Sequence, residues 1–183
     1  MRRRNVKQMI SQDAISKRVG ELGRQIADDY AGKDLILLGM LNGAYTFMAD
    51  LARALDLDFQ VHFMRASSYG QGQESSGTVN ISLAPECPMN GKDILIVEDI
   101  VDTGQTLTKV VGLLQGQSPA SIRICSLLDK PSRRKVNISV DYIGFTIEDV
   151  FAVGYGMDVN EMFRNLPYIG TYGQDGAGDI GSI

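Results

Sequence analysis

The sequence predicts an α/β fold, in which a mainly parallel sheet carries helices on its faces. Two observations lead to this prediction: short, continuously apolar runs that are typical of strands covered on both sides, and helical repeats of apolar residues that follow these runs. The chain has 183 residues, of which 44% are hydrophobic and 22% are charged, as in an ordinary folded domain. We therefore expect a single domain over residues 1–183.

The first half of the chain contains one strand–turn–helix unit. Ser11 precedes apolar residues at helical spacing, which predicts a helix with Ser11 as its N-cap. Residues 35–41 are continuously apolar and predict a buried strand, and residues 44–55 predict the helix after it. Two further strands are predicted at residues 59–64 and 79–83.

A second strand–turn–helix unit follows. Residues 94–97 are the strongest signal of a buried strand, residues 107–114 have helical spacing, and residues 120–128 predict the next strand. Residues 136–169 contain strand-like runs around glycines and predict a lid or small subdomain, alone or together with the N-terminus. Residues 170–183 are rich in glycine, so we expect a frayed terminus.

Charge, cysteine and histidine content exclude several classes of protein. The 18 basic and 22 acidic residues give a net charge of -4, which argues against a general nucleic-acid binder. Two distant cysteines, Cys87 and Cys125, and one histidine, His62, exclude a disulfide framework and a zinc site. Since no stretch approaches the ~18 apolar residues of a membrane span, we expect a cytosolic protein with no membrane partner.

Residues 97–107 carry the clearest chemical pattern. The two acids Glu98 and Asp99 leave a buried strand, and Asp102 comes just before residues 103–106, a polar, glycine-bearing turn that opens a helix. Backbone N–H groups and threonine hydroxyls in such a turn form an anion-binding nest that suits a phosphate monoester. Carboxylates beside it would repel that ligand unless they bond sugar hydroxyls or hold a divalent cation. The pattern thus predicts one site that binds a phosphate, a sugar and a metal ion.

An alternative interpretation of the same residues is purely structural. Asp102 would cap the helix, while Glu98 and Asp99 would form an exposed strand end. We favour the functional interpretation, because three neighbouring carboxylates repel one another unless a cation or hydroxyl groups compensate them.

At these residues the sequence resembles the type I phosphoribosyltransferases. Their motif for phosphoribosyl pyrophosphate (PRPP) is an apolar strand, two acids, two apolar residues and Asp-Thr-Gly-x-Thr, which residues 94–106 match without a gap. More narrowly, the chain is similar to the hypoxanthine (hypoxanthine-guanine) phosphoribosyltransferase family. Further matches are Leu41-Asn42-Gly43, Ser68-Tyr69, Ser126 to Lys130 and the block over residues 141–169.

The resemblance implies a fold, a reaction and partners. The fold is a parallel sheet with a small hood subdomain from about residues 136–169, and a flap over residues 67–78 closes the site. The reaction transfers 5-phosphoribosyl from PRPP to hypoxanthine or guanine with Mg²⁺ as cofactor, giving IMP or GMP and pyrophosphate. Homodimers or homotetramers are expected, with no nucleic-acid partner.

The resemblance also implies residue roles. Asp102 is the general base facing N7 of the purine, Lys130 donates to its exocyclic oxygen, and Phe151 stacks on its face. Purine-binding residues are Lys130, Phe151, Ala152 and Asp158, and magnesium ligands are Glu98, Asp99 and Asp158. PRPP- and nucleotide-binding residues are Leu41, Asn42, Gly43, Ser68, Tyr69, Glu98, Asp99, Ile100, Val101, Thr103, Gly104, Gln105, Thr106 and Arg164. The peptide bond between Leu41 and Asn42 can be cis in this family.

Each of these residues also has an ordinary structural explanation. Lys130 alone would be a solvated lysine at a strand end, and Phe151 alone would be a core aromatic residue. Asp158 and Arg164 would be surface charges, and residues 67–78 would be a hairpin loop.

The sequence departs from the family pattern at three positions: Asn42 replaces a usual lysine, Gln105 a frequent lysine or arginine, and Glu148 a common proline. Two other functions stay open. A PRPP-sensing regulator would carry a basic nucleic-acid surface, for which only residues 2–4 and 133–135 are available. A phosphotransferase would need the Gly-x-x-x-x-Gly-Lys-Ser/Thr loop, which is missing.

Overall fold

Nine strands and three α-helices are defined in the computed structural model, which describes residues 6–68, 79–83 and 88–173. In chain order they are β1 (Val6–Ile10), α1 (Gln12–Asp29), β2 (Leu35–Leu41), α2 (Tyr45–Ala54), β3 (Phe59–Ser68), β4 (Val79–Leu83), β5 (Asp93–Val101), α3 (Gln105–Gln115), β6 (Ser121–Asp129), β7 (Tyr142–Thr146), β8 (Ala152–Val153) and β9 (Ile169–Tyr172). A short 3-10 helix, Pro131–Arg133, follows β6. Within the described ranges, no helix is long and apolar enough to cross a bilayer.

The main sheet has six strands in the order β4-β3-β2-β5-β6-β7. Five of them, β3, β2, β5, β6 and β7, are parallel, and β4 pairs antiparallel with β3 at one edge. Alternate residues of β2 and β5 enter two core clusters, one packed on α1 and α2 and the other on α3. Because both faces are covered, β2 and residues 94–97 of β5 are continuously apolar. The predicted α/β fold is confirmed.

Helix α1 begins where the sequence predicts. The Ser11 hydroxyl accepts a hydrogen bond from the Ala14 N–H at 3.2 Å, so Ser11 is the N-cap. The residues at helical spacing that predicted this helix, Ile15, Val19, Leu22 and Ile26, are buried against the sheet and α2.

Strand β5 is longer than predicted. The apolar run ends at Val97, but β5 stays paired with β6 as far as Val101 opposite Asp129. Glu98 and Asp99 therefore lie within a paired strand, because backbone pairing continues past the point where the side chains become polar.

The small second sheet has other bounds than the predicted hood of about residues 136–169, although it includes the N-terminal strand that the prediction allowed. Residues 142–146 form β7 of the main sheet, where Gly144 is needed because a Cβ there would lie 2.4 Å from the Leu127 carbonyl oxygen. A separate three-stranded sheet in the order β1-β9-β8 joins the N-terminal strand to residues 152–153 and 169–172. Gly170, which suggested a frayed tail, pairs closely with β1. Residues 174–183, and residues 69–78 of the predicted flap, lie outside the described residues.

Candidate active site

A cleft of about 350 Å³ opens at the carboxyl ends of the parallel strands, where ligands of open α/β sheets gather. Its walls come from the turn after β2, from β5, from the end of β6 and from the segment that includes β8. The lining residues are Asn42, Gly43, Asp99, Ile100, Asp102, Lys130, Phe151, Ala152, Met157, Asp158 and Arg164. All of them except Met157 are site residues predicted from the sequence, so the fold brings distant candidates together.

The acid pair consists of Glu98 and Asp99 in β5, of which Asp99 lines the cleft. The Asp99 N–H donates to Glu98 Oε1 at 3.1 Å, and the Ile100 N–H donates to Asp99 Oδ1 at 2.8 Å. Burial and the neighbouring Asp99 carboxylate raise the pKa of Glu98 well above its usual range. A second negative charge on the pair is therefore unfavourable, and a bound cation would relieve it.

The turn over residues 41–43 packs against the acid pair. A Cβ on Gly43 would lie 1.7 Å from Asp99 Oδ2, and a Cβ on Gly156 would lie 2.1 Å from the Gly43 carbonyl oxygen. The Leu41–Asn42 peptide bond is cis. Asn42 Oδ1 accepts a hydrogen bond from Arg65 Nη2 at 2.9 Å. Two glycines thus let this turn contact both walls of the cleft.

Residues 103–106, called here the phosphate loop, connect β5 to α3. Gly104 is the N-cap of α3 with a φ of 78°, in the left-handed region that favours glycine, and no side chain caps the helix. The Thr103 hydroxyl accepts a long hydrogen bond of 3.4 Å from the Gln105 N–H. Backbone N–H groups at the start of α3 are thus available to an anion.

Asp102 does not cap α3, and the structural interpretation of this residue is wrong. Its Oδ1 instead accepts a hydrogen bond from Arg133 Nε at 3.2 Å. Glu98 and Asp99 are likewise not an exposed strand end, because both are partly buried within β5. Asp99 and Asp102 line the cleft, and the Glu98 carboxylate accepts a hydrogen bond from the backbone N–H of Asp99.

The segment that supports the phosphate loop, residues 131–138, has no role predicted from the sequence. Arg134 Nη1 donates to the Asp102 carbonyl oxygen at 2.7 Å, and Arg134 Nη2 pairs closely with Asp129. The Lys135 N–H donates to the Thr103 carbonyl oxygen at 3.0 Å. The basic cluster over residues 133–135 is therefore engaged with the loop. The position of this cluster soon after Lys130, in a chain with an acid-rich motif, is the sequence signal that could have indicated its contact with the loop.

For two predicted purine-binding residues, Lys130 and Phe151, the exposed fraction decides between the functional and the structural interpretation. Lys130 is 7% exposed, and its Nζ lies 3.9 Å from Asp149 Oδ1, so it is not a solvated strand-end lysine. Phe151 is 55% exposed and forms an edge-type ring contact with Tyr172, with centroids 6.5 Å apart, so it is not a core aromatic residue. Both side chains lie at the cleft, as do Ala152 and Met157.

Asp158 and Arg164 form the remaining wall. Arg164 Nη2 lies 2.8 Å from Asp158 Oδ1 and 2.9 Å from Glu161 Oε2, while its Nη1 donates to the Gly156 carbonyl oxygen at 2.9 Å. The surface-charge interpretation of these two residues is wrong, since both line the cleft. Glu161 was missed because nothing in its local sequence distinguishes it from a solvated acid.

The other predicted residues are not among those that line the cleft, or they lie outside the described region. Glu98 and Val101 belong to β5, Leu41 ends β2, and Ser68 ends β3. Tyr69 lies outside the described residues. In the described part of the chain no three acidic, histidine or cysteine side chains form a ready-made metal cluster. The carboxylates of Asp99, Glu98 and Asp158 nevertheless fit Mg²⁺, which commonly takes one or two protein carboxylates and completes its shell with substrate phosphates.

Comparisons with known proteins agree with this geometry. The phosphoribosyl transferase domain family matches residues 5–160. A hypoxanthine phosphoribosyltransferase of Escherichia coli is 50% identical over 167 residues, which are 90% of this chain and 94% of the relative. The chain belongs to the hypoxanthine phosphoribosyltransferase family.

Two further comparisons extend this likeness. The hypoxanthine phosphoribosyltransferase of Haemophilus influenzae is 45% identical over 173 residues, 93% of this chain and 97% of that protein. A crystal structure of a Staphylococcus aureus hypoxanthine phosphoribosyltransferase superposes with a TM-score of 0.88 at 43% identity, covering 92% of both chains. The resemblance stated from the sequence is thus confirmed, and this phosphoribosyltransferase has the fold of its family.

Proposed function

We propose that the chain is a 6-oxopurine phosphoribosyltransferase of purine salvage, which transfers 5-phosphoribosyl from PRPP to hypoxanthine or guanine. The observation that carries the proposal is that the uncapped start of α3 closely follows Asp102, which lines one cleft together with the acid Asp99, a buried lysine and an exposed aromatic ring. The helix start, Asp99, the lysine and the ring suit a phosphate, a sugar, an exocyclic oxygen and a purine face, respectively.

The phosphate loop would hold the 5′-phosphate of the ribosyl group. The positive end of α3 and the backbone N–H groups of residues 103–106 favour a negative charge there. Glu98 and Asp99 would accept hydrogen bonds from the ribose hydroxyls, with Ile100 and Val101 beside them. The supporting segment fixes the loop before substrate binds, because its hydrogen bonds end on the backbone of Asp102 and Thr103.

The purine would stack on Phe151 with its exocyclic oxygen facing the Lys130 ammonium. Adenine has an amino group at that position, so it would set donor against donor and bind poorly. Ala152 would offer backbone polar groups to the edge of the base, and Asp158 would face its other edge. In the reaction the bond from C1 of the ribose to pyrophosphate breaks, its electron pair leaves with the pyrophosphate oxygen, and a bond to the ring nitrogen forms. Asp102 takes the proton from the purine, while Arg164 binds pyrophosphate through its planar fork.

Asp99, Glu98 and Asp158 would hold Mg²⁺, which when bound neutralises charge on the leaving pyrophosphate. The role of Ser68 and Tyr69 at pyrophosphate, and closure of residues 67–78 over the site, stay predictions. So do assembly into a homodimer or homotetramer, and location in the cytosol.

The test is a direct assay of the purified protein with Mg²⁺, PRPP and either hypoxanthine or guanine. We expect release of pyrophosphate together with IMP or GMP, and far slower turnover of adenine as the control base. Absence of any nucleotide product at every substrate concentration would contradict the proposal.

A further inference from the structure

Arg65 places a cation beside the turn over residues 41–43. It lies near the carboxyl end of β3, and the parallel register sets it directly opposite Leu41, the last residue of β2. Its side chain is exposed, and its Nη2 donates to Asn42 Oδ1 at 2.9 Å. Asn42 itself lines the cleft. The guanidinium is therefore held within one residue of the cleft wall.

The groups that line the cleft carry more negative than positive charge, so an anionic ligand there requires a further cation. The lining groups include three carboxylates, Asp99, Asp102 and Asp158, but only two cations, Lys130 and Arg164. Both cations are already paired with acids, Lys130 with Asp149 and Arg164 with Asp158 and Glu161. A pyrophosphate group would enter this surface with several negative charges of its own.

Arg65 differs from Lys130 and Arg164 because its hydrogen-bond partner is neutral. Among the described residues its hydrogen bond goes to a neutral amide, and no carboxylate pairs with it. A guanidinium carries five N–H donors, so one bond to Asn42 fixes its direction and leaves other donors for an anion. Arginine can bind phosphate oxygens through two parallel hydrogen bonds, whereas the ammonium group of lysine acts as a point charge.

We infer that Arg65 is a ligand of the pyrophosphate group of PRPP and that Asn42 is the residue that positions it. The inference rests on the function proposed above and adds to it a residue on β3. Asn42 stands where a lysine would carry the charge itself, and the pair supplies that charge from the neighbouring strand instead. The Asn42 amide holds the guanidinium against the turn that lines the cleft.

The experiment compares a ligand that carries pyrophosphate with one that does not. Calorimetry measures the binding of PRPP with Mg²⁺, and of IMP, to the wild type and to Arg65→Gln. We expect Arg65→Gln to weaken PRPP binding by about tenfold or more, the usual effect of losing charge-assisted hydrogen bonds, while IMP affinity stays within about twofold. In steady-state assays the KM for PRPP should rise while the KM for hypoxanthine does not.

Three further variants sharpen the result. Asn42→Ala should weaken PRPP binding less than Arg65→Gln does, because the charge remains but loses its orientation. Asn42→Lys combined with Arg65→Gln should recover much of the PRPP affinity, because it returns a cation to the same turn. Arg24→Gln, which removes an exposed arginine on α1, is the matched control and should bind both ligands as the wild type does.

Equal weakening of PRPP and IMP by Arg65→Gln would overturn the inference, because it would mean general damage to the site. Unchanged PRPP binding would overturn it as well. A wild-type protein that binds neither ligand would overturn the proposed function, and this inference with it, which is a different outcome from a wild type that binds both.

Discussion

The two sides of the cleft are built in different ways. On one side, Asp102 and the phosphate loop are consecutive in sequence and are held by backbone hydrogen bonds from the supporting segment. On the other side, residues 41–43, 151–158 and Arg164 come from distant parts of the chain and meet through close packing at Gly43 and Gly156. The phosphate side is thus built from residues that are neighbours in sequence, whereas the side that would hold the base and pyrophosphate depends on the whole fold.

The largest expected effect is on the chemistry at Asp102. Asp102→Ala should lower kcat by about 10²–10⁴-fold, the range for loss of a general base, with little change in PRPP affinity. Steady-state kinetics and calorimetry on the same preparation measure both quantities. Arg133→Gln removes the cation that pairs with Asp102 and is the control for altered Arg133 pairing, with a much smaller loss of kcat. Equal losses in kcat and PRPP affinity would make Asp102 a binding residue instead.

The second effect concerns the support of the phosphate loop. The side chains of Arg134 and Asp129 are only 16% and 9% exposed, so Arg134→Gln leaves a largely buried carboxylate without its partner. We expect a loss of roughly 3–5 kcal/mol in the free energy of unfolding, measured by urea denaturation. The control is Arg53→Gln, whose pair with Asp50 is 72% and 35% exposed and should contribute no more than about 1 kcal/mol. Similar losses in the two variants would contradict the supporting role.

The third effect tests the packing of the opposite wall. Gly43→Ala would bring a Cβ to 1.7 Å from Asp99 Oδ2, so either the turn or the acid must move. Displacements of about 1 Å in an active site commonly cost about 100-fold in activity, and we expect a fall of that order in kcat/KM. Gly20→Ala is the control, because a Cβ there meets nothing within 4 Å. Wild-type activity in Gly43→Ala would show that the close contact is unimportant.

The smallest effect is at the exposed ring of Phe151. Phe151→Ala should raise the KM for hypoxanthine, since base–aromatic stacking contributes about 1–3 kcal/mol per base. The free energy of unfolding should change by less than about 0.5 kcal/mol because the ring is 55% exposed. Thermal unfolding together with initial rates separates the two quantities. A large loss of stability with unchanged KM would instead assign Phe151 to the core.

Much of the fold could be predicted from the sequence, because its signals are local. The apolar runs of β2 and β5 and the N-cap at Ser11 each specify an element within a few residues. The phosphate loop was predictable for the same reason. The place of β7 in the main sheet was not, because its glycine serves close approach to β6, and a strand-like run around a glycine fits a small subdomain equally well.

The residues that make up the site could be predicted, but the contacts between them could not. The resemblance supplied almost every residue that lines the cleft. The bonds from Arg133 and Arg134 to Asp102 and the pair formed by Arg65 and Asn42 all join residues far apart in sequence. Such pairs depend on strand register and on the path of the supporting segment, neither of which a local pattern reports.

A crystal structure of the protein with GMP tests the central claim most directly, because it reports the partners of the phosphate, the sugar and the base together. The account predicts the 5′-phosphate on the backbone N–H groups of residues 103–106 and the guanine ring on Phe151, with its exocyclic oxygen at Lys130. A phosphate loop without phosphate, and a base bound away from Phe151, would contradict it.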